Sequence, residues 1–247
     1  MKGFLVRVGI DQSDGEWNAP VDPVSCEFVF VPVPEVEGTT FHPGLKRDYS
    51  EVVPVVQSFA KRFHRNYIEH LKFPVHMEKL LTPMHLDPDF AELTYGDHGH
   101  RGRPLRGLQH GDLIAFYSGL RSISPSDAPL VYALVGLYIV RDVVEARAVP
   151  ADHWAANAHT RRSRQDETDI VVRAEPGPSG RLERCIPIGE YRDRAYRVKS
   201  DILSTWGGLS VKDGYVQRSG TLPTFNAPEL FYAWFCKQKV NVIRRNY

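Results

Sequence analysis

Residues 129–144, PLVYALVGLYIVRDVV, constrain this chain more than any other stretch. The run is apolar almost without interruption, and it is rich in Val, Ile, Leu and Tyr. That composition suits a strand covered on both faces better than a helix. Residues 112–117, DLIAFY, follow a Gly-Asp turn and read the same way, so the two runs are expected to be adjacent core strands. Gly136 inside the longer run implies a bulge or a close backbone approach.

Around this centre the pattern alternates between strands and short helices. Residues 3–10 read as a strand with Arg7 embedded in it, ended by the turn formers DQSDGEWNAPVDP. Residues 26–33 read as a second strand pairing with the first as a wide hairpin, its far end an edge because Pro32 and Pro34 cannot donate. From Ser50 the period becomes helical, with Val52, Val56, Phe59, Phe63, Tyr67 and Leu71 on one stripe. Ser50 is the expected N-cap, and Pro54 is tolerated in the first turn. A short helix capped by Asp152 is expected over 151–162, ending on Arg161, Arg162 and Arg164. A hairpin is expected around the Pro-Gly-Pro-Ser-Gly turn between 169–173 and 181–188, and two more short helices over 200–206 and 226–235. The tail from Lys237 carries Lys237, Lys239, Arg244 and Arg245 without an acidic residue, and reads as a solvated end or an arm for phosphates. The expected fold class is α+β, a mixed, mostly antiparallel and partly curled sheet, with a barrel as the extreme of that curl, flanked by short helices. At 247 residues one domain spans the chain, with 147–247 an alternative C-terminal subdomain.

Charge and cysteine usage limit the partners. A formal net charge of +1 excludes a globally basic nucleic-acid binder but leaves room for a local basic groove. Three dispersed cysteines, Cys26, Cys185 and Cys236, offer neither a disulfide framework nor a metal spacing, and point to a reducing cytoplasm. No signal peptide is read at the N-terminus and no apolar run approaches a membrane span, so no membrane partner is expected.

The chemistry-bearing residues gather in turns at strand ends. Residues 85–121 combine His85, Asp87, Tyr95, Asp97, Arg101, Arg103, Arg106 and Tyr117. The turn after the first strand adds Asp11, Trp17 and Asn18. Asp11, Asp87 and Asp97 are the candidate catalytic carboxylates, able to move a proton or steady a cationic transition state. Trp17, Tyr95 and Tyr117 are the candidate stacking surfaces, Asn18 a reader of a base edge, and Arg7, Arg101, Arg103 and Arg106 the phosphate contacts. A bland reading stands beside this one: Asp11 as the cap of its own Asx turn, and the arginines as solvated surface. Walker, dinucleotide, zincin and nucleophile-elbow signatures are absent from the sequence. The His98-x-His100 and His85-x-Asp87 pairs are expected to be coincidences among ten histidines, so neither a metal nor another cofactor is expected.

The blocks Arg7-Val8-Gly9-Ile10-Asp11, Asn18-Ala19-Pro20 and Val31-Pro32-Val33-Pro34-Glu35 occur in order. They are followed by His85-Leu86-Asp87-Pro88-Asp89, Tyr95-Gly96-Asp97, the 111–117 strand and the Gly136 strand. In that order they resemble the nucleotide modification associated domain, type three, over most of residues 1–145. The resemblance implies work on bases in nucleic acid without assigning a reaction. The 111–117 strand and its successor are also similar to pseudouridine-synthase-and-archaeosine-transglycosylase-like barrels, which bind RNA or modified bases.

Three functions follow, in order of expectation. The first is an enzyme acting on a modified or extruded nucleobase or its glycosidic bond. The second is a non-catalytic reader of a modified base, and the third a structural subunit of a modification complex. Nucleic acid or a nucleotide is the expected partner, DNA ahead of RNA, with the oligomeric state left open.

Overall fold

The computed structural model describes residues 1–63, 72–123, 130–217 and 221–247. Its centre is the expected pair of strands, β6 (Leu113–Ser122) and β7 (Val131–Glu145), antiparallel from Leu113↔Ile139 to Leu120↔Val131. Both faces of this pair are covered, which is why neither strand alternates in hydropathy. Ile114, Phe116, Val135 and Tyr138 enter one core, whereas Ala115, Tyr117, Leu134 and Leu137 enter another. The ladder slips between Phe116 and Tyr117, opposite Gly136. A Cβ on Gly136 would stand 2.4 Å from the ring of Phe90, so the backbone here is pressed against an aromatic that only glycine admits.

The sheet grows outward from this pair. Strand β1 (Gly3–Arg7) lies parallel to β6, with Arg7 opposite Tyr117. The short β2 (Pro20–Val21) also runs parallel to β6, at its far end. Strand β8 (Ile170–Ala174) pairs with the distal half of β7, and β9 (Gly180–Pro187) with the proximal half. The expected 169–188 hairpin is therefore corrected. The Pro-Gly-Pro-Ser-Gly segment steps one run of chain along β7, because β7 at 15 residues is long enough to pair with both. Strand β5 (Thr94–Asp97) pairs with β8, giving the order β1-β6-β7-β8-β5. The fold is α+β, with 23% helix and 33% strand and no closed barrel among the described residues.

The expected hairpin between 3–10 and 26–33 is also corrected. Strand β1 takes β6 as its neighbour, and residues 28–31 run extended but outside the main ladder, with Phe28, Val29, Phe30 and Val31 all buried. That segment meets the chain just after β1 through single contacts such as Ile10 N to Val31 O, 2.7 Å. Val33–Pro34 (β3) instead pairs with Met84–His85 (β4), which places Glu35 beside His85.

Helix α1 (Val53–Phe63) lays Val53, Val56, Phe59 and Ala60 on the first core, with Pro54 in its first turn as expected. Ser50 lies ahead of the helix and gives its hydroxyl to Asp48 instead of capping; Tyr67 and Leu71 lie outside the described residues. The segment 151–162 is a 3-10 turn followed by one turn of α-helix at Ala158–Arg161, capped by Asn157 and not by Asp152. The basic tail is no free arm. Val242–Ile243 pairs with β9, and Asn246 is buried, bonding to Phe90 N at 2.7 Å and to Asp89 at 2.9 Å. Helix Pro228–Lys237 covers the second core with Phe231 and Phe235. Among the described residues no helix is long and apolar enough to cross a membrane.

The three cysteines are free. The thiol of Cys26 is held at about 6, chiefly by a hydrogen bond from Cys185 and also by Arg184, against burial and the charge of Asp22. Because the thiolate is the nucleophile, alkylation of Cys26 should level off above about pH 7. Site-resolved mass spectrometry would read this; a rate still climbing at pH 9 would contradict it.

Candidate functional site

Strands β1 and β5 end the sheet at opposite sides of its order, yet the sheet curls enough to bring them face to face. Between them lies a cavity of about 860 Å³, within the usual range for small-molecule sites. Arg7 and Tyr117 form one wall and Tyr95, Asp97 and Arg101 the other, with His85, Asp87 and His159 grouped on it as well. The turn after β1 contributes Ser13, Asp14 and Gly15.

Each side chain is held by a local device. Asp11 is 1% exposed and accepts from Ser13 N at 2.7 Å and Asp14 N at 3.2 Å, an Asx turn. Its other oxygen pairs with Arg7 at 2.5 Å, so Asp11 braces the guanidinium and does not line the cavity. Arg7 also donates to Gln217 O, and its buried Nε has no partner among the described residues. Asp97 accepts from the Tyr95 hydroxyl at 2.6 Å and from His98 N at 2.9 Å, and faces Arg101 at 3.4 Å. Burial and the neighbouring Asp97 carboxylate push the Tyr95 phenol far above its ordinary range, so it stays a neutral donor.

Asp87 sits deepest. Its carboxylate accepts Gly96 N at 2.8 and 3.0 Å and Asn157 Nδ2 at 3.3 Å. Burial, together with the nearby Asp97 and Asp89, raises it well above the ordinary carboxylate range despite these donors. Two imidazoles flank the same oxygen, His85 Nε2 at 3.7 Å and His159 Nε2 at 3.5 Å. The far nitrogen of each ring meets another carboxylate: His85 Nδ1 lies 3.1 Å from Glu35, and His159 Nδ1 lies 2.7 Å from Asp169. Burial lowers His85 to about 4, leaving the ring neutral. Burial would raise Glu35, but the His85 and Arg162 contacts outweigh it and hold the carboxyl at about 2. Burial would raise Asp169 too, but its contacts with His159, the Asp166 N–H and Arg162 together hold it below the ordinary carboxylate range.

Arg7, Tyr95, Tyr117, Arg101, Asp87 and Asp97 thus line one hollow. The remaining candidates lie elsewhere. Trp17 packs on Phe73 with ring centres 5.7 Å apart, and Asn18 is buried on Gly119 O at 2.7 Å. Arg103 is exposed, and Arg106 reaches Glu145 and Thr168 O. Glu35, Asn157, His159 and Asp169 were not read from the sequence as site residues. A cap-forming Asn157 was legible in principle, but nothing local marks His159 or Asp169.

The family model for nucleotide modification associated domain 3 matches residues 2–214. No curated protein and no solved structure matches the chain.

Proposed function

Given that the chain belongs to the nucleotide modification associated domain 3 family, we propose that it is an enzyme acting on a modified or extruded nucleobase, or on its glycosidic bond, within this cavity. The observation that carries the reading is the convergence of Asp87, His85 and His159 at one wall of a hollow whose other parts present Arg7, Arg101 and two tyrosines. Carboxylates and imidazoles held within a few ångströms of one another are the groups that move protons and stabilise charge at a glycosidic carbon or a ring nitrogen. The guanidiniums of Arg7 and Arg101 supply anchors for a phosphate. A pure aromatic cage fits less well: Trp17 is spent on Phe73, and Tyr117 is 2% exposed with its hydroxyl committed to Val216 O.

Incubation with DNA or RNA carrying modified bases should release free base, leave abasic sites or yield an altered base, as read by mass spectrometry. Asp87→Asn should lower turnover about 10²- to 10⁴-fold with nucleic-acid binding retained. Retention of full turnover by Asp87→Asn would remove Asp87 from the chemistry. Binding without turnover in the wild-type protein would favour the reader, and neither would favour a structural subunit.

A further inference from the structure

We propose that His85, Asp87 and His159 form a binding site for one first-row divalent transition-metal ion, through the two Nε2 atoms and the Asp87 carboxylate. The assignment deepens the reading above by giving the same cavity a cofactor, and its test needs no nucleic acid.

Two observations support it. The first is spacing. Metal–ligand bonds of about 2.1 Å put neighbouring ligand atoms about 3.0–3.4 Å apart in octahedral or tetrahedral geometry. Both Nε2 atoms stand near that distance from Asp87 Oδ2, at 3.7 and 3.5 Å, and the three donor atoms lie within 4.8 Å of one another. These gaps are at or beyond the limit of a hydrogen bond. The second observation is the outer shell. A metal-bound histidine characteristically gives its other ring N–H to a carboxylate, which sets the tautomer and aims the lone pair. Here the outer nitrogen of each ring meets a carboxylate, His159 Nδ1 at Asp169 and His85 Nδ1 at Glu35, while Arg162 holds the other Glu35 oxygen at 2.6 Å. Arg162 also lies 3.1 Å from His85 Nδ1, so ion binding would fix the proton of that nitrogen on the Glu35 side.

Two nitrogens and one oxygen with an open side toward the cavity match sites that keep positions free for water or substrate. A second grouping, His98, His159 and Asp169, is poorer. Its His159–Asp169 contact is already a hydrogen bond, and His98 is 57% exposed and 4.0 Å away. The expectation of no metal, drawn from treating the His98-x-His100 and His85-x-Asp87 pairs as coincidences among ten histidines, is what this assignment replaces.

Full-length protein stripped by chelator and titrated with Zn²⁺, Mn²⁺ or Fe²⁺ should take up one equivalent per chain of at least one of them, by calorimetry and elemental analysis. His159→Gln and Asp87→Asn should weaken binding more than 100-fold, and Asp169→Asn about 10- to 100-fold. His98→Ala should keep the stoichiometry. Loss of the ion in His98→Ala, or its retention in His159→Gln, would overturn the assignment. If the variants fail to fold, Co²⁺ absorption of the wild-type protein, displaced by Zn²⁺, decides alone: no ligand-field bands means no such site. A protein that binds the ion but leaves every base untouched would sustain this site and end the enzyme reading. Undiminished turnover of protein shown by elemental analysis to be metal-free would sustain the enzyme reading and end the ion's role as its cofactor.

Discussion

Asp89→Ala is expected to lower unfolding stability by about 3–5 kcal/mol, the cost of stranding a buried charge. Asp89 and Arg161 form an ion pair in which the side chains are 1% and 3% exposed. Among the described residues Arg161 Nη1 already lacks a partner, and its Nε is used on Ala155 O at 2.8 Å, so loss of the carboxylate would leave the guanidinium with its charge uncompensated. Asp89 also orders its own loop. One oxygen accepts Asn246 Nδ2 at 2.9 Å and Glu92 N at 3.2 Å, and its backbone exchanges bonds with Thr94. Through these contacts the C-terminal tail, the loop before β5 and the helical turn at 158–161 are tied to one carboxylate. Urea denaturation reads the effect as a lower midpoint at an unchanged slope. Replacing both partners, Asp89→Leu with Arg161→Leu, should recover much of the loss, since an apolar pair leaves no orphaned charge. An Asp89→Ala midpoint matching wild type within about 1 kcal/mol would show that water reaches the site and that the pair is not structural.

How much of this was legible depended on whether the controlling interaction was local. Strands β6 and β7 were readable because apolar density over a long run has few alternatives. Pro54 and the close approach at Gly136 were readable because each reports its own backbone constraint. The two expected hairpins failed for a common reason: strand identity is a property of a segment, whereas the partner is chosen by the rest of the sheet. At the site, Asp87, Tyr95, Asp97 and Arg101 were marked by their turn-rich neighbourhood. Trp17 and Asn18 share that character, but they point away because the chain has already turned back toward the core and toward Gly119. His159 is the instructive omission. One imidazole among ten carries no mark until folding places it against Asp87 and Asp169, and the basic tail gave no hint that Asn246 would be drawn inside.

Gly96→Ala is expected to disable the site more than it destabilises the fold. The added methyl would stand 2.2 Å from His159 Cδ2, 2.7 Å from Asn157 Oδ1 and 2.9 Å from His159 Cγ, separations that real atoms do not tolerate. Neither neighbour is a free side-chain end. His159 is 2% exposed and tethered to Asp169 at 2.7 Å, and Asn157 bonds to both Asp87 and Thr94. Either the imidazole swings off Asp87, or β5 retreats from Val171, its partner on β8, taking with it the Gly96 N–H that both Asp87 oxygens accept. Overpacking of this kind costs about 1–3 kcal/mol. Displacing a positioned group by about 1 Å costs about 10²-fold in rate. Turnover should therefore fall about 100-fold while thermal unfolding remains cooperative, and the imidazole NMR signals of His159 should move. Gly107→Ala is the matched control, because its methyl would meet nothing closer than Lys2 Nζ at 3.6 Å, ordinary contact. Wild-type turnover and unshifted His159 signals in Gly96→Ala would mean that the imidazole is not pinned where the structure places it, and the arrangement around Asp87 would lose its geometric basis.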